Sequence, residues 1–126
     1  MAKTKVLVIE DDKSVRTSIR LTLQSHGFDV DEADNGAKGI WMLKHAPFDL
    51  AIIDMMMPVM DGLETIRELK SLLPKLGILA ISGGSTVVNV DFLKAAAVTG
   101  ATATLSKPFD GSQLITALQK ITTRAA

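Results

Sequence analysis

The 126-residue chain has no cysteine, no net charge and no long apolar run, and each absence removes a class of protein. Without cysteine there is no disulfide framework, no thiolate zinc site and no cysteine nucleophile, which fits a reducing compartment. The balance of 14 Lys+Arg against 14 Asp+Glu argues against a nucleic-acid partner, because such domains carry net positive charge that displaces counterions from phosphates. Met1-Ala2-Lys3-Thr4-Lys5 leads into an apolar run too short for a signal-peptide core. No stretch approaches the ~18 apolar residues of a membrane span. Linkers, repeats and low-complexity segments are missing too. The expectation is one soluble, cytoplasmic domain over residues 1–126, with no output domain and no membrane partner.

What is present is uneven. Residues 1–64 hold 11 acids and 7 bases, hence −4, while residues 65–126 hold 3 acids and 7 bases, hence +4. Such asymmetry reflects either differing solvated surfaces or complementary parts of one site.

Short apolar runs alternate with helical patterns. Lys5-Val6-Leu7-Val8-Ile9 reads as a strand covered on both faces. Ser14 to His26 carries Val15, Ile19 and Leu23 at steps of four and is stopped by Gly27. Phe28-Asp29-Val30-Asp31 alternates, as a strand nearer a sheet edge does. Asp34-Asn35 can cap a helix to His45, with Ala37, Ile40, Trp41 and Lys44 at helical spacing and Trp41 in the core. Leu50-Ala51-Ile52-Ile53 is a buried strand ending at Asp54; Gly62 to Leu72 is a helix closed by Pro74. Ile78 to Ile81 is a fourth strand that runs into Ser82-Gly83-Gly84-Ser85. A helix anchored on Phe92 to Val98 stops at Gly100, and a short strand, Ala103 to Ser106, precedes Lys107-Pro108-Phe109. Asp110 or Ser112 caps a last helix with Leu114, Ile115, Leu118 and Ile121 on one face. Strands joined through helices run parallel, giving an open α/β sheet with helices on both faces.

In such a sheet ligands bind at the carboxyl ends of the strands. Those ends carry Glu10-Asp11-Asp12, Asp54, Ser82 and, just after the fifth strand, Lys107. Clustered carboxylates repel one another unless a cation neutralises them. A few hard oxygen ligands without His or Cys suit Mg²⁺, and a central carboxylate can act as a nucleophile that forms an aspartyl phosphate. Phosphoryl transfer also needs a cation and a hydroxyl or N–H donor, which Lys107, Ser82 and Gly83 can supply. The methionines of Met55-Met56-Met57-Pro58 read as flexible packing around a turn, and His26 and His45 as helix C-terminal residues.

Four segments in order resemble the receiver domain of two-component response regulators over residues 4–124. They are Val6 to Asp12, Asp54-Met55-Met56-Met57-Pro58-Val59-Met60-Asp61-Gly62, Ile81-Ser82-Gly83 and Leu105-Ser106-Lys107-Pro108-Phe109. The resemblance implies a flavodoxin-like, doubly wound, three-layer fold with strand order 2-1-3-4-5. It implies that Asp54 is the phosphoacceptor and that Glu10, Asp11, Asp54 and the backbone carbonyl of Met56 hold Mg²⁺. Lys107 would pair with phosphoryl oxygens, Ser82 would turn inward to bond them, and Asp12 would cap a helix. It also implies a cis Lys107-Pro108 bond. The implied partners are a sensor histidine kinase or histidine phosphotransfer protein, and a protein target on the face of the fourth helix, fifth strand and fifth helix.

Three features depart from the family's pattern. Thr104 stands where many receivers have an aromatic switch residue. Gly83 to Asn89 reads as a loop longer than usual, so the next helix should start late. Met56 and Gly84 occupy positions that tune loss of phosphate, and neither can orient a water through a polar side chain, so slow self-dephosphorylation is expected. Two alternatives follow the switch: a phosphorelay shuttle, and an aspartate-nucleophile phosphatase. The phosphatase needs an acid/base two residues after the nucleophile, where Met56 cannot transfer protons. A flavin carrier would need a phosphate loop where Glu10-Asp11-Asp12 repels anions. The expectation is a switch and not an enzyme.

Overall fold

Each apolar run becomes a strand and each amphipathic stretch a helix, in strict alternation. The computed structural model describes residues 3–56, 61–83 and 86–125, and of 86–92 and 123–125 the backbone alone. The order is β1 (Lys5–Ile9), α1 (Lys13–Ser25), β2 (Asp29–Ala33), α2 (Gly36–His45), β3 (Leu50–Asp54), α3 (Gly62–Leu72), β4 (Gly77–Ser82), α4 (Thr86–Thr99), β5 (Ala103–Ser106) and α5 (Gly111–Ala125). The five strands are parallel, in the order β2-β1-β3-β4-β5. This is the flavodoxin-like doubly wound sheet, and the direction in which strands are added reverses between β1 and β3.

Two apolar layers fix the helices to the sheet. Val6, Val8, Leu50, Ile52, Leu79 and Ile81 face α1 and α5, whose Ile19, Leu23, Leu114, Leu118 and Ile121 are buried against them. Leu7, Ile9, Ala51, Ile53, Ile78 and Ala80 face the opposite way, toward Ile40 and Leu43 of α2, Ile66 and Leu69 of α3 and Ala96 of α4. The period of two along each strand thus splits one continuous apolar run between two layers. The strands on the two edges alternate instead: β2 is buried only at Val30 and Ala33, and β5 exposes Thr104 and Ser106.

Local chemistry sets the helix ends. Asp12 caps α1 by accepting from the Ser14 and Val15 amides at 2.8 and 3.2 Å. Asn35 caps α2 and Asp61 caps α3 in the same way. Asp110 and Gln113 exchange side-chain-to-backbone bonds of 2.8 and 2.9 Å across the first turn of α5, a reciprocal cap. His26 and His45 sit at helix C-termini, each ring bonded to the carbonyl four residues back, Thr22 and Trp41. The Lys107-Pro108 bond is cis. Among the described residues no helix is long and apolar enough to cross a membrane.

Three expectations change. Trp41 is not core: it is 61% exposed and stacks on His45 with ring centroids 4.3 Å apart. The buried stripe of α2 is Gly36, Gly39, Ile40 and Leu43. A Cβ at Gly39 would collide with the Ile9 side chain, so the missing side chain lets the helix lie close on the sheet, and apolar periodicity does not register a glycine. Helix α4 begins at Thr86 and not near Phe92, so no long loop precedes it; Thr86, Val87 and Val88 are weak helix formers that read as loop. Strand β2 starts at Asp29 and continues to Ala33, two residues past the alternating segment. The expectations placed on Met57-Pro58, on Gly84 and on Ser85 lie outside the described residues.

Candidate functional site

The carboxyl ends of β1 and β3 lie side by side, because Ile9 pairs with Ile53 in register. Glu10 and Asp54 are therefore delivered to neighbouring positions by two strands whose residues are buried from Val6 to Ile9 and from Leu50 to Asp54. Glu10 has no exposed surface and Asp54 is 3% exposed, whereas Asp11 reaches solvent. One carboxylate oxygen from each of Glu10, Asp11 and Asp54 lies within 4.8 Å of the others.

Lys107 enters from just beyond β5. Its Nζ donates to Glu10 Oε1 at 2.8 Å and lies 3.8 Å from Asp54 Oδ2. The backbone holds it there, since Lys107 N–H donates to the Ser82 carbonyl at 2.7 Å. Asp54 Oδ1 accepts from the Met56 amide at 3.1 Å, which fixes the carboxylate plane and brings the backbone of Met56 beside the cluster. The Met56 side chain is half exposed.

The approach of α3 depends on one glycine. A Cβ at Gly62 would stand 2.5 Å from the Asp54 carbonyl oxygen and from Met55 Cα, both backbone atoms. Gly62 therefore lets the start of α3 press against the strand end that carries Asp54. The helix start at Gly62 is legible in the sequence, but the steric duty of that glycine toward Asp54 is not.

Three acids and one ammonium leave the cluster short of positive charge. Burial pushes the Glu10 carboxyl above its ordinary pKa, and the neighbouring Asp54 raises it further against the opposing pull of Lys107. Asp11 is also raised, first by desolvation and then by Glu10. Burial alone would lower Lys107, but its bond to Glu10 and the negative charges of Asp54, Glu10 and Asp11 outweigh this and raise it. Hard oxygen donors in small number, held close and strained by like charge, are the donor set that Mg²⁺ takes. The residues fit that ion.

Ser82 ends β4 fully buried, and its Oγ has no hydrogen-bond partner among the described residues. An unmet buried hydroxyl is unfavourable by about 1–3 kcal/mol and marks a place where a ligand atom can complete the site. Gly83 follows it, packed against the Lys107 side chain. The structure thus brings Glu10, Asp11, Asp54, Met56, Ser82, Gly83 and Lys107 to one end of the sheet. The sequence did not single out Arg16, whose Nη1 donates to the Glu10 carbonyl at 2.8 Å; an arginine on a polar helix face carries no signal of such a bond.

Comparison with known proteins agrees with this geometry. The family model of the response regulator receiver domain matches residues 6–119. Response regulator MprA of Mycobacterium sp. (strain KMS) is 32% identical over 123 residues, which are 97% of this chain and 52% of the relative. MprA of Mycobacterium avium (strain 104) is 34% identical over 121 residues, 95% of this chain and 51% of the relative. The chain spans about half the length of the curated relatives it matches. Among solved structures, the chemotaxis protein CheY4 of Vibrio cholerae superposes with a TM-score of 0.85 at 31% identity, covering 95% of this chain and 99% of that one. A receiver domain protein from Clostridium thermocellum gives a TM-score of 0.89 at 27% identity, covering 96% and 95%.

Proposed function

The chain belongs to the response regulator receiver domains of two-component signalling, and from that premise we propose that Asp54 accepts a phosphoryl group from a phosphohistidine. The donor is a sensor histidine kinase or a histidine phosphotransfer protein. The observation that carries the reading is the Asp54 carboxylate itself: buried at the end of a central strand, held by the Met56 amide and faced by the Lys107 ammonium.

An Asp54 oxygen attacks phosphorus, and the P–N bond to the imidazole breaks. The electron pair stays on the ring nitrogen, which takes up a proton. Glu10, Asp11, Asp54 and the Met56 carbonyl would hold Mg²⁺, which would supply divalent charge to offset that of the phosphoryl group. Lys107 offers its ammonium to one of those oxygens, already poised between Glu10 and Asp54. Ser82 Oγ donates to another and gains the partner it lacks. Because the Ser82 carbonyl accepts from Lys107 N–H, a shift of Ser82 reaches both the end of β4 and the start of the segment after β5.

That shift changes the surface of α4, β5 and α5, on which Thr104 and Ser106 stand exposed and a downstream protein docks. Thr104 cannot bury a ring, so the change runs through the backbone. No polar group extends from Met56 to orient an attacking water, so phosphate is lost slowly. Incubation with Mg²⁺ and acetyl phosphate, followed by intact mass, should add one phosphoryl group to the wild type and none to Asp54→Asn. Equal gain in both proteins contradicts the assignment.

A further inference from the structure

Arg16 does more than decorate α1. It lies about one turn into the helix, yet its Nη1 donates back to the Glu10 carbonyl at 2.8 Å while its Nε donates to Glu32 Oε1 at 3.0 Å. Glu32 belongs to β2, and its other oxygen lies 2.9 Å from Arg20 Nε, off line for a hydrogen bond but close enough for an ion pair. Arg16 is the less exposed of the two guanidiniums, with 15% of its side-chain surface open against 30% for Arg20.

The segment these bonds enclose is Glu10 to Asp12. At its start the Glu10 amide donates to the Ala33 carbonyl, at its end Asp12 caps α1, and between them Arg16 ties the Glu10 carbonyl to the helix. The turn that carries two of the three clustered carboxylates is therefore fastened at both ends and across its middle. We propose that Arg16, oriented by Glu32, is a positioning residue that holds the Glu10-Asp11 turn in its metal-binding conformation. The inference rests on the Mg²⁺ reading above.

The choice of side chain follows from geometry. A guanidinium can donate to a carbonyl and to a carboxylate in fixed directions at once, and a lysine ammonium cannot reproduce that fork. Charge alone is therefore not the requirement. Groups that orient metal ligands without touching the metal commonly change affinity by about 10–100-fold when replaced. Arg16 acts through a backbone carbonyl, which places its effect near the lower bound.

The test is the Mg²⁺ dissociation constant of the unphosphorylated protein, measured by calorimetry on wild type, Arg16→Lys, Glu32→Gln and Asp11→Ala, with thermal midpoints in chelator. Arg16→Lys should weaken Mg²⁺ binding about tenfold although it keeps the charge, and Glu32→Gln by a smaller factor in the same direction. Wild-type affinity, within twofold, in both folded variants overturns the positioning role while leaving the Mg²⁺ reading intact. A wild type that binds no Mg²⁺, or binds it as well after Asp11→Ala, overturns both. Should Arg16→Lys fail to fold, Glu32→Gln decides, since it leaves the guanidinium in place.

Discussion

At the scale of single residues the site is built at the expense of stability, and that can be measured. Ser82 is buried with an unmet hydroxyl, so Ser82→Ala should stabilise the unphosphorylated protein by about 1 kcal/mol in urea unfolding while weakening its response to phosphorylation. A destabilised Ser82→Ala would mean that the hydroxyl is already satisfied. Glu10 gives a pH signature. Its folded pKa lies above the ordinary 4.5, so between the two values the folded state binds the extra proton. Its contribution to stability is therefore greatest below about 4.5 and falls as pH rises through the folded value. Without divalent cation, wild type should lose stability relative to Glu10→Gln over that rise, and Mg²⁺ should remove the loss. A constant difference across the range would contradict the crowding of charge at Glu10. The residue types at the strand ends were legible in the sequence because carboxylates directly after apolar runs are conspicuous. Arg16 and Glu32 were not, because their partners are a backbone carbonyl and each other across sixteen residues of chain.

At the scale of elements, two glycines set how closely helices meet the sheet. Gly62→Ala places a methyl group against the backbone of Asp54 and Met55, which cannot yield without moving the strand end. It should cost about 1–3 kcal/mol in urea unfolding and slow phosphorylation as well. Gly39→Ala collides with Cδ1 and Cγ1 of the buried Ile9 side chain but touches no backbone and recovers helix propensity, so it should cost about 1 kcal/mol and leave phosphorylation unchanged. Equal losses in the two variants would contradict this account of α3. The same glycines explain what the sequence concealed. The stripe of α2 was read one residue away from its true position because Gly36 and Gly39 lie on the buried face. Strands β1, β3 and β5 were legible nearly to the residue, since apolar runs bounded by charge or proline have few alternative readings. The start of α4 was not, because Thr86 to Val88 are β-branched and only their place in the fold makes them helical.

At the scale of the whole molecule, alternation of strands and helices dictates a parallel sheet, and the order β2-β1-β3-β4-β5 places the ends of β1 and β3 together at the switch point. That arrangement turns a charge asymmetry spread over the sequence into one local imbalance. Glu10, Asp11 and Asp54 from the first half meet Lys107 from the second, 97 residues after Glu10. Net neutrality of the chain says nothing about this site, where three carboxylates face one ammonium and negative charge exceeds positive unless a divalent cation is bound. The central claim is that Asp54 carries that phosphoryl group, and an acyl phosphate can be located directly. Borohydride reduction after phosphorylation converts the modified aspartate to homoserine, which peptide fragmentation assigns to a position. The structure predicts homoserine at position 54 alone, dependent on Mg²⁺; homoserine at position 10, 11 or 12, or its absence at position 54 in a protein that has gained phosphoryl mass, would contradict the account.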